Sequence, residues 1–296
     1  MMPDYVYALS SALLWAISAP VINRGLAHLP TRKQPYYISL GLLVAMLSGT
    51  ALLFVLVARQ SSQATLNVYV ILAGLFTFLI ATGLYYFASY AFGKKTELAA
   101  QFAKFKPVFS IGLAIAILNE GVTFWTWVII VLLLLGLAVF SLGVFQGAFS
   151  WSSMVLGLST ALAWAIGEVF VKLGFSGETS LIHSFMALAS STFIIALLLA
   201  PFAPKLSRAD IRLAWLLPFA IHGIISFGLA YAAFFKSITL IGLANTAIIN
   251  AFWPFLAILL SNLENKIKGI EQKTPLYIWI AAIFFIFGSV LMVITI

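Results

Sequence analysis

Charged residues and cysteine are what this sequence lacks. Only 8% of its 296 residues are Asp, Glu, Lys or Arg, and none is cysteine. A soluble domain carries about 25% charged residues, so this chain could not cover its exterior in water. Without cysteine there is no disulfide framework and no thiolate metal site. The three histidines lie in no cluster with acidic residues, so we expect neither a metal site nor a cofactor.

Hydrophobic residues, in contrast, make up 63% of the chain. A bilayer is crossed by about 20 apolar residues in a helix. Ten such runs are found, at 5–23, 36–58, 67–91, 97–118, 123–145, 152–175, 180–202, 213–236, 243–262 and 275–296. The first run lacks a basic segment before it and is expected to belong to the fold rather than to a signal peptide. The sequence therefore predicts an all-α integral membrane protein with ten transmembrane helices.

The two halves of the sequence resemble each other. Residues 8–26 align with residues 157–175, with eight identities 149 positions apart. The segments "GLYY" at 83–86 and "KPVF" at 106–109 have similar counterparts in "GLAY" at 228–231 and "WPFL" at 253–256. Because each half has an odd number of spans, the halves have opposite orientations. We predict two inverted five-helix repeats, 1–148 and 149–296, that form one transmembrane domain, as in secondary transporters.

The chain resembles the drug/metabolite transporter superfamily, of the EamA type with ten helices. The residues that carry the resemblance are the Trp-Ala pairs beginning at Trp15 and Trp164, the prolines Pro107 and Pro254, and Glu120 at the end of the fourth span. The second half, with "ALAWAIGEVFVK", "GLAYAAFF" and "NAFWPFLAIL", is most similar to the aromatic amino acid exporters of that superfamily. The resemblance implies a transporter that works in the export direction.

The distribution of basic residues predicts an orientation in the membrane. Eleven Lys and Arg residues lie at the odd-numbered connections between spans, and three lie at the even-numbered ones. We call the two corresponding surfaces the odd-loop face and the even-loop face. The positive-inside rule places the odd-loop face in the cytoplasm and both termini outside. The family resemblance implies the opposite orientation, so the side of the N-terminus stays open.

Lys104 and Lys106 lie inside the fourth predicted span, beside Pro107. A lysine at the bilayer centre costs roughly 2.5–3.5 kcal/mol. The two are about 200° apart on a helix, but a break at Pro107 would turn both toward a central cavity. There they would favour a carboxylate or phosphate. Alternatively, Lys104 lies about 10 Å below the interface, where it snorkels or pairs with Glu97.

Glu168 is the other charge predicted inside the membrane. It lies one helical turn from both Trp164 and Lys172. Either it pairs with Lys172 along the helix, or it binds a substrate amine or carries a coupled proton. Its counterpart in the first repeat is Ala19. This asymmetry is expected of a site that recognises one particular molecule.

Further polar and aromatic residues complete the predicted site. His222 is a candidate proton carrier or a contact between helices, and Asn250 either joins helices or faces the cavity. The predicted substrate-binding residues are Lys104, Lys106, Gln101, Glu168, Trp164, Asn250, Trp253 and Tyr231. The predicted proton carriers are Glu168 and His222, and the predicted helix kinks are Pro20, Pro107 and Pro254. No catalytic residue is predicted.

These observations favour a carrier that moves a small amphiphilic metabolite by alternating access. Groups of both signs together with aromatic rings suit an amino acid or a related zwitterion. The paired lysines leave an organic anion or a sugar phosphate as a second possible substrate class. A channel or a non-transporting receptor is a third possibility, of a different functional class. The connections carry no catalytic motif, so an enzyme is not expected.

The expected partners are a small-molecule substrate and the lipid bilayer, in which the protein is a monomer or a homodimer. The basic residues are scattered through short connections and form no stripe for nucleic acid. The expected location is a membrane, and in a bacterium the inner membrane.

Overall fold

The fold is described by a computed structural model that covers residues 3–30, 34–60, 64–91, 102–145, 151–205, 211–267 and 275–295. In this part of the chain the secondary structure is helical, and nine helices are long and apolar enough to cross a membrane. The predicted span that is not among these nine is the fourth, 97–118, which is described from residue 102 onward. Large apolar side chains such as Phe193 and Ile283 are exposed on the outside, as expected of a surface that faces lipid.

We number the spans α1 to α10 in chain order. Five are regular helices in which no interruption separates the ends: α1 (Val6–Ala27), α2 (Gln34–Val57), α5 (Phe124–Phe145), α6 (Trp151–Gly174) and α10 (Leu276–Thr295). Span α7 (Ser180–Leu199) is followed directly by a 3₁₀ turn, Ala200–Lys205. The remaining four spans, α3, α4, α8 and α9, are interrupted.

The interruptions occur at equivalent places in the two halves. Span α3 consists of Val68–Gly74, a π-helical segment Leu75–Ala81, and Thr82–Ala91. Span α8 likewise consists of Leu213–His222, a π-helical segment Gly223–Ala230, and Tyr231–Ile241. Span α4 has a 3₁₀ turn, Ala103–Phe105, before the helix Lys106–Ala116. Span α9 is split into Leu243–Asn250 and Trp253–Ile267.

The helices of each half pack mainly on helices of the other half. Span α1 contacts α8 and α9, and α6 contacts α3 and α4 in the equivalent way. Span α2 packs on its counterpart α7, as α5 does on α10. Thr50 of α2 and Thr192 of α7 share a hydrogen bond of 3.0 Å between their hydroxyl oxygens. The contacts therefore follow the inverted repeat predicted from the sequence, and the space between the halves is where a site can form.

Two equivalent glycines allow the closest of these contacts. A Cβ added to Gly74 of α3 would lie 2.1 Å from the carbonyl oxygen of Ala187 in α7. A Cβ added to Gly223 of α8 would lie 2.0 Å from the carbonyl oxygen of Ala45 in α2. The two glycines are 149 positions apart in the sequence, the same offset as in the first helices. Each glycine lies where a π-helical segment begins. The backbones of α3 and α7, and those of α8 and α2, are therefore in contact at the points where α3 and α8 change from α-helix to π-helix.

Polar contacts join the two halves at the even-loop face. The carboxylate of Glu120, which follows α4, accepts hydrogen bonds from the backbone N–H of Leu243 at 2.7 Å and of Ala244 at 2.8 Å. These are free N–H groups of the first turn of α9, which a carboxylate caps well. Nearby, the Asn67 amide donates to the carbonyl oxygen of Gly174 at 3.0 Å. Both contacts must break if the halves separate at this face.

Candidate functional site

A cavity of about 60 Å³ lies between the two halves. It has room for roughly four water molecules, so a larger substrate requires the surrounding side chains to move. The walls come from α1, α3, α4, α6, α8 and α9. The lining side chains are Trp15, Ser18, Ala19, Ile22, Thr82, Tyr85, Tyr86, Lys106, Trp164, His222, Ser226, Phe227, Tyr231 and Trp253.

A buried ion pair forms one end of this cavity. The Lys106 ammonium lies 2.6 Å from Oε1 of Glu168, and their side chains are 11% and 2% exposed. Isolated charges at this depth are costly, and the pairing offsets part of that cost. The ammonium also lies 4.3 Å from the ring centre of Phe234 and 5.1 Å from that of Trp15, within cation–π range. We call Lys106 and Glu168 the charged end.

Ser110 holds the second oxygen of the same carboxylate. Its hydroxyl donates to Oε2 of Glu168 at 2.5 Å and lies 3.0 Å from the carbonyl oxygen of Lys106, one turn earlier on α4. Both carboxylate oxygens are therefore bound by α4. The carboxylate of Glu168 thus points at α4, and Lys172 instead donates to the carbonyl oxygen of Ile238 at 3.3 Å. The alternative of a Glu168–Lys172 pair is wrong for this reason.

The two lysines of α4 point in different directions. Lys106 begins the helix that contains Pro107 in its first turn, and it faces the cavity. Lys104 lies in the 3₁₀ turn, with its ammonium 4.4 Å from the ring centre of Phe140 and 5.8 Å from that of Phe255. The expectation that the break at Pro107 turns both ammonium groups toward the cavity is wrong for Lys104, because the break does not cancel their angular separation.

A row of rings connects the charged end to His222 and Tyr86. From Trp15 the successive ring centres are separated by 4.8 Å to Tyr231, 6.1 Å to Phe227 and 5.5 Å to His222. A last step of 5.9 Å leads to Tyr86. Nδ1 of His222 lies 3.4 Å from the carbonyl oxygen of Ser18. We call Tyr86 and His222 the neutral end of the cavity.

The structure places most of the predicted site residues at the cavity, while Lys104, as described above, and Asn250 lie elsewhere. The cavity collects Lys106, Trp164, Trp253, Tyr231 and His222, with Glu168 paired to Lys106. The Asn250 amide instead donates to Oγ of Ser11 at 2.7 Å and to the carbonyl oxygen of Ala8 at 3.2 Å, which joins α9 to α1. Gln101 lies outside the described residues.

The three predicted kinks differ in their local structure. Pro107 and Pro254 each lie in the first turn of a helical segment that follows an interruption, where the missing N–H costs nothing. Pro20 lies inside α1, which continues as a helix to Ala27.

Several residues of the cavity or of its ion pair escaped the sequence analysis, and two of them had a detectable signal. Tyr86 is the repeat counterpart of Tyr231 through the matching "GLYY" and "GLAY" segments, and it lines the same cavity. Ser110 lies one turn after Lys106, on the same side of the helix. Thr82 and Tyr85 had no signal, because their direction depends on the π-helical segment before them.

Comparison with known proteins gives the family. The model of the EamA-like transporter family matches the chain twice, over residues 2–142 and 151–295. The chain belongs to this family. The EamA-like family consists of membrane transporters, and the two matches cover nearly the whole chain as two repeats of the same domain.

Structural comparison agrees at the level of the fold. A crystal structure that is described only as that of a protein superposes with a TM-score of 0.73 over 99% of each chain, at 16% identity. No curated protein sequence matches the chain significantly. The chain therefore shares the fold of that structure.

Proposed function

We propose that this EamA-like transporter moves an amino acid or a related zwitterion, in the export direction, by alternating access between its two halves. The observation that carries the proposal is the ion pair of Lys106 and Glu168 at the cavity wall. A zwitterion has the same two charges. Its carboxylate can take the place of Glu168 at the ammonium, and its ammonium can take the place of Lys106 at the carboxylate.

This exchange leaves the net charge of the buried site unchanged, which matters where uncompensated charge is costly. An anion alone would displace Glu168 from Lys106 and leave a carboxylate without its partner. Two lysines facing the cavity together would favour an organic anion or a sugar phosphate. Of the two, only Lys106 faces the cavity, and its ammonium is bound to Glu168. An anionic substrate therefore has less support than a zwitterion.

The aromatic walls suit the remainder of such a substrate. Trp15, Trp164 and Trp253 line the cavity together with Tyr231, and rings of this kind bind apolar side chains and also cations. The resemblance to aromatic amino acid exporters that the sequence predicts for the second half favours the same substrate class and the export direction. In a bacterium such an exporter would reside in the inner membrane.

Matched ligands test this proposal. Purified protein is exposed to phenylalanine, to phenethylamine, which lacks the carboxylate, and to 3-phenylpropionate, which lacks the ammonium, and its thermal stability is measured. We expect stabilisation by the amino acid that exceeds that by either analogue. Stabilisation by sugar phosphates or carboxylates, with no response to any of the common amino acids, would overturn the proposal. Saturable counterflow in proteoliposomes distinguishes a carrier from a channel or a receptor.

A further inference from the structure

The neutral end of the cavity contains polar groups that the protein leaves without partners. Tyr86 is 1% exposed, and among the described residues no group hydrogen bonds to its hydroxyl. Burying a hydroxyl without a partner is unfavourable, and such groups in native proteins need an explanation.

His222 supplies a complementary group beside Tyr86. Its Nδ1 lies 3.4 Å from the carbonyl oxygen of Ser18. A carbonyl oxygen only accepts, so Nδ1 carries the hydrogen and Nε2 of the neutral ring presents a lone pair. Nε2 makes no hydrogen bond to the described residues. The ring centres of Tyr86 and His222 are 5.9 Å apart, and no direct hydrogen bond joins the two side chains.

One donor without a partner and one acceptor therefore lie on two neighbouring side chains that line the cavity. The Tyr86 hydroxyl can donate, and Nε2 of His222 can accept. A ligand group that both accepts and donates satisfies the two together, and the common uncharged groups of this kind are a hydroxyl and a carboxamide. An apolar group here would leave both protein groups unsatisfied. A charged group here would need an opposite charge, which neither Tyr86 nor a neutral His222 supplies.

We propose that Tyr86 and His222 form a specificity subsite that binds a hydroxyl or carboxamide at the tip of the substrate. The inference rests on the proposed function, since it takes the charged end to hold the substrate's ammonium and carboxylate. Ring contacts through Trp15, Tyr231 and Phe227 connect the two ends. The preferred substrate is then an amino acid whose side chain ends in an uncharged hydrogen-bonding group.

Pairs of amino acids that differ by one hydroxyl test the subsite. The pairs are serine and alanine, homoserine and 2-aminobutyrate, and tyrosine and phenylalanine, which place the hydroxyl at three distances from the α-carbon. Affinities are measured by titration calorimetry on the purified protein. In at least one pair we expect the hydroxylated member to bind roughly 5- to 100-fold more tightly, which corresponds to one satisfied pair of buried groups.

Tyr86→Phe is the decisive variant. It removes a hydroxyl that contacts no described group, so the fold should be retained. The preference for the hydroxylated member should fall to near unity, while the affinity for the other member stays the same. Tyr69→Phe removes a tyrosine hydroxyl from a side chain outside the cavity and should keep the preference. His222→Phe removes the acceptor and should also abolish it.

The possible results separate the two proposals. If both members of every pair bind equally well, or if Tyr86→Phe keeps the preference, the subsite is overturned and the amino acid proposal stands. This result is expected if a bound water molecule, rather than the substrate, hydrogen bonds to both Tyr86 and His222. If no amino acid binds the wild-type protein, both proposals fail.

Discussion

The ammonium of Lys106 and the carboxylate of Glu168 lie 2.6 Å apart across the interface between the two halves of the transporter. Lys106 belongs to the first repeat and Glu168 to the second, so this ion pair connects the parts that must move relative to each other. Under the proposed exchange, a substrate that replaces this ion pair would loosen that connection. The proposal therefore links binding at the charged end to movement of the halves through the same two side chains.

Removal of one partner should be more harmful than removal of both. Lys106→Met and Glu168→Gln each leave a buried polar or charged group without its partner, at a cost of about 3–5 kcal/mol for a broken buried pair. The double variant leaves neither and should recover part of this stability. Thermal unfolding in detergent of the four proteins provides a double-mutant cycle. Equal and additive losses would contradict the pairing.

Ser110→Ala tests the support of the carboxylate. The variant removes the hydrogen bond of 2.5 Å to Oε2 of Glu168, and hydrogen bonds to charged groups contribute about 1.5–3 kcal/mol. We expect lower thermal stability and weaker binding of zwitterions, while Ser110→Thr, which keeps a hydroxyl, retains more of both. Equal thermal stability and equal zwitterion binding of Ser110→Ala and Ser110→Thr would contradict this role of the Ser110 hydroxyl.

Glu168→Gln also tests proton coupling. If Glu168 carries the coupled proton, glutamine cannot titrate, so accumulation driven by a pH gradient should be lost. Counterflow should persist when it is measured at substrate concentrations high enough to offset the weaker binding. His222→Asn serves as the comparison, because His222 is the second candidate for this role. Transport of both variants is measured in proteoliposomes with and without the gradient. Gradient-driven uptake that survives in Glu168→Gln would exclude this role.

Glu120 is expected to keep the even-loop face closed. Glu120→Ala removes both hydrogen bonds to the first turn of α9. Because the chain lacks cysteine, a single Thr246→Cys can report on that region, since Thr246 is fully buried. Maleimide should label this cysteine several-fold faster in the Glu120→Ala background. Glu178→Cys, at an exposed position of the same face, should be labelled at the same rate in both backgrounds.

Gly223→Ala should disrupt the packing of α8 on α2. The added Cβ would lie 2.0 Å from a backbone oxygen, and overpacking of this kind typically costs about 1–3 kcal/mol. Gly112→Ala is the matched control, because no atom lies within 4 Å of its Cβ position. We expect Gly223→Ala to have a lower folded yield and a lower melting temperature than the wild type, as measured by gel filtration and thermal unfolding. Gly112→Ala should leave both quantities unchanged.

The sequence allowed the membrane class, the number of spans and the inverted repeat to be predicted. Apolar length sets the spans, and the Trp-Ala match at Trp15 and Trp164 reveals the repeat. Glu168 and Lys106 were recognisable because a charge inside a membrane span needs a reason. Their pairing was not, because it depends on how α4 and α6 are rotated about their own axes.

Asn250 illustrates what sequence reasoning could not decide. An amide inside a span can bind a substrate or another helix, and its partner Ser11 lies 239 positions away.

Tyr86, in contrast, was not predicted as a site residue although it lines the cavity. Its direction is set by the π-helical segment before it, which has no recognised signature in the residues, and only its resemblance to the region around Tyr231 could have drawn attention to it.

The π-helical segments of α3 and α8 have a consequence for how the cavity can change. A π-helical turn accommodates one more residue than an α-helical turn, and one residue corresponds to about 100° of rotation. Deletion of a single residue within Leu75–Ala81 would therefore turn Thr82, Tyr85 and Tyr86 together away from the cavity. Insertions and deletions at these two places could exchange a whole wall of the cavity at once, a larger step than any point substitution offers.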